Sequence, residues 1–414
     1  MTHFQADIRS EVDKLEGVIL HTPGSEVENM TPENAERALY SDILNLTVAR
    51  KEYTQLNSVL KKLTRVFQIR DLLTETLEIP EARIFLLNGI CGVTADCNLT
   101  DELSILKSAE LAKLLIEGVL VNRNNLSRYL SEERFELRPL HNFFFTRDAS
   151  ITIGNEILIG NMANAVRVRE SQIMEAIFRY HPELKTPVIK PLKTHPGLKN
   201  IRIEGGDIQV VSEDVLLSGV GVRTSAEGVD FIIDHYKNRK IKKHIIVQEL
   251  PSQPESFIHL DMVFTLLSNE ECLVYKPLIL KPNKYQTINI EIDNGKVKIS
   301  HAKDLVNALS KRGIDLKPIP CGGKADHYTQ EREQWHSGAN FFTFAPGKAM
   351  GYYRNVHTLE ELNNQGFAIL KAKDVISGKI HPDDYDKCIV TIDGSELARG
   401  GGGARCMTMP LRRS

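Results

Sequence analysis

Four stretches of this chain combine residue types and spacings that could do chemistry. Near the C-terminus, Arg399 precedes four glycines, Gly400 to Gly403, and then Ala404, Arg405 and Cys406. A glycine run costs conformational entropy on folding, so it marks backbone that needs unusual dihedrals or close approach to something. A thiol just behind it, beside Arg405, could be ionised and exposed. A loose turn with an incidental cysteine would read the same way. Upstream, Glu204-Gly205-Gly206-Asp207 interrupts two apolar runs. The glycines could form a bulge that re-aims Glu204, or a plain hairpin turn with solvated acids. His259 and Asp261 stand two apart on an expected strand, so both side chains share one face. Finally, the strand expected over Asn142 to Thr146 holds three phenylalanines and ends in Arg147-Asp148. A surface ion pair closing a strand is the plain alternative there.

The inventory is one nucleophile, one imidazole and three carboxylates: Cys406, His259, Asp148, Glu204 and Asp261. A thiol with histidine suggests acyl transfer, but that chemistry needs oxyanion donors rather than three acids. Several carboxylates around a nucleophile suit a cation. A guanidinium is planar and always charged. Carboxylates hold it in plane through charge-assisted pairs, and His259 could protonate a departing amine.

The elements that must position these groups follow from periodicity and turn signals. Gly17 to His21 and Thr64 to Ile69 read as strands. Between them, Thr31 and Pro32 start a helical pattern that runs with interruptions from Ala35 to Leu63. From Arg70 to Leu137 leucines recur at helical spacing and strand signals are absent, so a helical insertion is expected. From Pro139 onward, strands and helices alternate. The expected strands are 151–153, 157–159, 201–203, 208–211, 215–217, 243–247, 262–267, 271–275, 316–319, 340–344, 350–353 and 388–392. The expected helices include 169–180, 225–236, 302–312 and 359–365. Hairpin-then-helix units recur without a strict sequence repeat, which gives an α/β class built of similar modules.

Composition narrows the rest. With a net charge of -2, neither nucleic acid nor an anionic membrane is expected as the main partner. The cysteines Cys91, Cys97, Cys272, Cys321, Cys388 and Cys406 are scattered with no C-x-x-C pair, so no zinc ribbon or disulfide framework is expected. The N-terminus lacks the apolar stretch of a signal peptide, and no apolar run reaches spanning length. A reducing, cytoplasmic protein is expected.

Taken together, the stretch Leu20 to Pro32 (L-H-T-P-G-S-E-V-E-N-M-T-P), Phe145 to Asp148 (F-T-R-D), Glu204 to Asp207 (E-G-G-D), His259 to Asp261 (H-L-D) and the ending R-C-M-T-M-P at Pro410 resemble the arginine deiminases of the guanidino-modifying, or pentein, superfamily. The resemblance covers essentially the whole chain. It implies an α/β propeller of ββαβ modules with pseudo-fivefold symmetry. Residues 1–69 and 138–414 would form the catalytic domain, and residues 70–137 the inserted helical subdomain. It further implies hydrolysis of L-arginine to L-citrulline and ammonia, with no metal or organic cofactor, in a homo-oligomer (dimer or tetramer). By the same resemblance Cys406 is the nucleophile, His259 the general acid and then base, Glu204 its orienting acid, and Asp148 and Asp261 the grip on the guanidinium. Asn142, Arg167 and Arg223 would bind the amino-acid end, Phe145 would pack along the stem, and Gly400 belongs to a mobile lid.

This chain departs from the family pattern in places. The lid has only glycines where many members carry a basic residue. The segment Met162 to Glu170 lacks a tryptophan-proline and one arginine, and Ala149 replaces a proline. These differences bear on the amino-acid end of the substrate. The alternatives are a related guanidino enzyme (an amidinotransferase, or a hydrolase of agmatine or methylarginine) and a silent pentein that binds arginine.

Overall fold

The structure, a computed structural model, describes residues 3–31, 35–36, 39–40, 42–91, 98–191 and 197–414. Its strands form five sheets of three or more strands and one two-stranded pair. Four of the five start from a hairpin whose second strand also pairs in parallel with a third, and the fifth makes the same pattern from the two ends of the chain. Parallel pairing requires a crossover, and a helix supplies it each time.

Ser150–Ile153 pairs with Glu156–Ile159, which pairs in parallel with Val188–Ile189 after the helix Val168–Tyr180. Ile208–Ser212, Val215–Val220 and Lys243–Glu249 repeat the pattern around the helix Ala226–Asn238. Phe264–Leu266, Glu271–Val274 and Lys317–Pro320 do so around Leu305–Ser310. The fourth set is Phe342–Ala345, Lys348–Tyr352 and Cys388–Ile392, with the helix Val356–Asn364. The fifth uses both ends of the chain. Leu15–Leu20 pairs antiparallel with Met409–Arg413 and parallel with Arg65–Gln68, across the helix Leu46–Leu63. Central strands such as Cys388–Ile392 are buried at every residue, which is why they read as continuous apolar runs rather than alternating ones.

Several expectations need correction. Asn142 to Thr146 is not a strand. It is a succession of turns in which the amide of Phe145 bonds the carbonyl of Asn142. Phe143 enters one core, while Phe144 and Phe145 enter another, so three adjacent rings are buried by bending the chain. His259 and Asp261 are not on a strand either. His259 is extended and caps a 3₁₀ turn, Leu260–Met262, and the strand begins only at Phe264. Ile201 to Ile203 contributes a single bridge to Asn161. Gly205–Asp207 forms a 3₁₀ turn, not a bulge.

A hairpin outside the expected strands, Thr287–Asp293 with Lys296–Ala302, widens the second sheet. Its tip, Asn294-Gly295, has both φ values positive (48° and 77°), the signature of a two-residue turn.

Residues 70–137 are mostly helical as expected, with helices Pro80–Cys91, Asn98–Ser104 and Ser108–Glu117. They also hold the short pair Val119–Leu120 and Phe135–Leu137, which contradicts the expected absence of strands. Ladders this short leave no periodic trace. The segment shares one continuous core with Phe143, Ile157, Ile173 and Met409. The expected helix start at Pro32 to Asn34 and the residue Cys97 lie outside the described residues. The long helix of this region starts at Leu46, capped by the Asn45 side chain, which accepts from Val48 N. No described helix is long and apolar enough to cross a membrane.

One buried carboxylate ties this scaffold to the glycine run. Glu52, on the helix Leu46–Leu63, accepts from the amides of Ser395 (2.8 Å), Glu396 (3.0 Å) and Leu397 (2.8 Å). Buried amides stripped of such a partner are costly. Glu52→Ala is expected to lower unfolding free energy by about 2–4 kcal/mol, read from urea melts. An unchanged melt would show that water serves these amides equally well.

Candidate active site

The four sequence stretches meet at one cavity of about 230 Å³, too small for a drug-sized ligand and fit for one small metabolite. Asn142, Phe145, Asp148, Arg167, Arg223, His259, Gly400 and Cys406 line it, together with Tyr40 and Trp335. Glu204 and Asp261 stand directly behind that wall. Every one of the expected site residues is therefore in or against the same cavity.

Cys406 sits in the turn after the glycines. Its amide and that of Arg405 both donate to Asn340 Oδ1, at 3.1 and 3.0 Å. Asn340 Nδ2 donates to the carbonyl of Asp261, so one side chain sets the spacing of nucleophile and acid. The Sγ atom lies 3.9 Å from both carboxylate oxygens of Asp261. Burial, then the negative charges of Asp261 and Asp148, push the thiol well above its ordinary range.

His259 is held between two acids. Its Nε2 is 3.0 Å from Glu204 Oε2, and its Nδ1 is 3.6 Å from Asp148 Oδ1. Burial alone would lower its pKa. Asp148, the bond to Glu204 and nearby Asp207 outweigh that and raise it to about 9. Glu204 moves the other way. Burial opposes its ionisation, but His259, Arg223 and Arg167 hold it down at about 2. The resting pair is thus imidazolium and carboxylate. Glu204 is fixed by accepting from Ala163 N through Oε1, and its own amide donates to Thr224 Oγ1. Asp207 Oδ1 accepts from Leu260 N at 2.9 Å, which locks the turn carrying His259 and Asp261.

The aspartates each meet an arginine. Asp148 Oδ2 is 2.6 Å from Arg167 Nη1, and Asp261 Oδ2 is 2.7 Å from Arg405 Nη1. Arg167 also gives Nε and Nη2 to Glu170 Oε2, at 3.0 and 2.8 Å, and is buried. Arg223 is freer. It stands 3.6 Å from Glu204, and its Nη1 has no hydrogen-bond acceptor. Asp148, Glu204 and His259 approach closely enough to ligate a metal ion, but Arg167 and Arg223 already bring positive charge to those carboxylates.

The glycines earn their places by close approach. A Cβ on Gly402 would lie 2.5 Å from Phe145 Cε1, and one on Gly403 would lie 2.7 Å from the Asn340 carbonyl oxygen. Gly401 has φ +81°, in the left-handed region. The Tyr352 hydroxyl donates to the Gly402 carbonyl at 2.9 Å. Arg399, exposed at the edge of the cavity, pairs with Asp42 and Glu396.

Sequence reading missed Asn340, Glu11 and Glu170 as parts of the site. Nothing near Asn340 or Glu11 in the chain marks them. Glu170, three residues after Arg167, carried the spacing of a helical ion pair.

Comparison with known proteins agrees with this geometry. The arginine deiminase family matches residues 36–413. The chain belongs to that family. It is 32% identical to the arginine deiminase of Listeria monocytogenes serotype 4b over 98% of this chain and 97% of that protein. Among solved structures, the amidinotransferase SxtG of Microseira wollei, from saxitoxin biosynthesis, superposes with a TM-score of 0.56 at 13% identity, over 99% and 97% of the two chains. The N-terminal domain of ArgZ, a cyanobacterial arginine dihydrolase captured covalently bonded to a reaction intermediate, gives 0.52 at 12% identity over 96% and 98%. At those identities the structures share an α/β fold with this family member.

Gly206 offers a direct test of how tightly the site is built. A Cβ there would lie 2.6 Å from His259 Cγ and 3.0 Å from Asp148 Oδ1. Gly206→Ala is expected to displace the imidazole and cut guanidino hydrolysis by about 100-fold while leaving the circular dichroism unchanged. Full activity in this variant would mean that the ring has room to move.

Proposed function

We propose that this protein hydrolyses the guanidinium group of L-arginine to L-citrulline and ammonia through a covalent intermediate on Cys406. One observation carries the reading: a thiol faces a space flanked by two carboxylates, with an imidazolium between one of them and a third acid. That arrangement is repulsive to anions and complementary to a planar cation.

The chemistry follows from the charges. At rest, burial and then the charges of Asp261 and Asp148 keep Cys406 protonated. A guanidinium entering between them cancels that field, and the thiol proton leaves to solvent. The thiolate adds to the guanidinium carbon. His259, as imidazolium, gives its proton to the amine nitrogen, and ammonia departs, leaving an S-alkylthiouronium. The now neutral His259 takes a proton from water, whose oxygen adds to the same carbon. Collapse expels the Cys406 thiolate and yields the ureido group of citrulline, with the remaining proton passing to water. Asp148 and Asp261 hold the guanidinium nitrogens throughout, and Glu204 keeps His259 oriented.

At the other end of the substrate, Arg223, which lines the cavity and pairs only loosely with Glu204, is placed to meet the carboxylate, Asn142 lines the same region, and Phe145 beneath Gly400 walls the aliphatic stem. The repeated hairpin, helix and parallel strand in five sheets support a pseudo-fivefold propeller. The helical character of 70–137 supports its reading as an insertion in a catalytic domain formed by 1–69 and 138–414.

Purified protein incubated with arginine should yield citrulline and ammonia in equal amounts. Transfer of the amidine to an added amine instead would overturn the hydrolytic reading. Cys406→Ala should lower turnover by a factor on the order of 10³ or more, and acid quench of the wild type should trap a mass adduct on Cys406.

His259 also makes a pH statement. Its folded pKa of about 9 lies above the ordinary 6.5. Its ion pairs therefore stabilise the fold fully below pH 6.5, and that contribution is lost as pH rises through about 9. Urea melts between pH 6 and pH 10 should show this decline in the wild type and a flatter one in His259→Gln. Equal slopes would mean the imidazole is neutral at rest.

A further inference from the structure

The two aspartates assigned to grip the guanidinium are held in the same way from opposite sides. Asp148 gives Oδ2 to Arg167 Nη1, and Arg167 gives its remaining edge to Glu170. Asp261 gives Oδ2 to Arg405 Nη1, and Arg405 gives Nη2 and Nε to Glu11 at 3.0 and 3.4 Å. Glu170 comes from the first turn of the helix Val168–Tyr180, and Glu11 from the segment before the first strand. Neither is near its aspartate in sequence, yet both are almost wholly buried. In each case the order is aspartate, arginine, glutamate, and in each case one aspartate oxygen is left over. Asp148 Oδ1 has no hydrogen-bond partner among the described residues and lies 3.6 Å from His259 Nδ1, and Asp261 Oδ1 faces Cys406 Sγ at 3.9 Å.

We propose that Glu170 and Glu11 are positioning residues that act through Arg167 and Arg405 to turn one oxygen of each aspartate toward the substrate guanidinium. This rests on the guanidinium-hydrolysis reading above. A guanidinium presents its N–H groups in a fixed plane, so a carboxylate rotated out of place loses the bond rather than weakening it. An arginine held at two edges cannot turn, and it fixes the carboxylate it touches. Removing the glutamate charge leaves that edge held only through backbone carbonyls, including that of Phe145 for Arg167 and that of Ile208 for Arg405, and lets the arginine shift toward chelating its aspartate with both nitrogens. Both aspartate oxygens would then be drawn away from the cavity.

Arg167 lines the cavity as well as holding Asp148, and the two roles, contact with the substrate carboxylate and support of the grip, predict different losses. A group serving the carboxylate matters for arginine but not for agmatine, which keeps the guanidinium and lacks that carboxylate. A group serving the grip matters for both.

The experiment measures kcat/KM for arginine and the inhibition constant of agmatine in the wild type, Glu170→Gln and Glu11→Gln, each checked for folding by circular dichroism. Both quantities should worsen together, by at least about tenfold in each variant. Glu170→Asp and Glu11→Asp keep the charge and should recover part of the loss. They also take the place of either glutamine variant that does not fold, with the same paired loss expected at smaller size. An agmatine constant unchanged in a folded variant overturns the proposal, whether arginine turnover falls or not. A wild type that makes no citrulline overturns the functional reading instead, and that result is visible before any variant is made.

Discussion

Like charge crowded into a buried space is the constraint on which this structure depends. Glu11, Asp148, Glu170, Glu204, Asp207 and Asp261 are all buried around one small cavity. Isolated, each would give up its charge. Some nearly do: burial, above all, lifts Glu170 to about 7 and Asp207 to about 6. Others stay ionised because a cation is placed against them. Arg405, Arg147 and Arg413 overcome the burial of Glu11 and hold it at about 2. The cost runs in both directions, since burial pulls Arg147 down to about 9. A folded centre made this way is electrically tense and complementary to one further cation.

The sheets explain how such a centre can be held. Each reactive side chain sits on a turn just before or after a buried strand, not on the strand itself. Asp148 precedes Ser150–Ile153, Glu204 precedes Ile208–Ser212, His259 and Asp261 precede Phe264–Leu266, and Cys406 precedes Met409–Arg413. The entry to a hairpin is used repeatedly as the mounting point. None of the five reactive groups sits on a strand, although Arg413, on the last strand, adds positive charge near Glu11. The turns are free to take the irregular backbone that chemistry needs.

That division also decides what could be read from the chain alone. Residue types survive any local conformation, so Cys406, His259, Glu204, Asp148 and Asp261 were recognisable as a set suited to a cation. Their local geometry was not. His259 and Asp261 share a direction because Asp207 pins Leu260 between them, and not because a strand alternates. Asn142 to Thr146 reads as a strand because aromatic residues favour strands, whereas two separate cores claim its rings. Asn340 and Glu11 could not be read from spacing to their partners, whereas Glu170 stood at helical ion-pair spacing from Arg167. Arg405 and Glu11 lie 394 residues apart, and only the closed fold joins them. The glycines at 400 to 403 were legible as special backbone. Three of them are glycine because neighbouring rings and carbonyls leave no room, or because the chain turns left-handed.

The fifth sheet has a consequence for how the centre comes into being. Its first strand, Leu15–Leu20, finds one partner only in Met409–Arg413, which follows the nucleophile by three residues. During synthesis the early strand must wait, half-paired, for nearly all of the remaining chain. The acids at 148, 204 and 261 emerge long before Cys406, and the cysteine is pinned against them only when the last strand pairs with the first. Contacts of such sequence separation form late and slowly. The unfinished chain therefore carries its acids without a nucleophile, and reactivity toward guanidinium arises in the same step that makes the fold continuous.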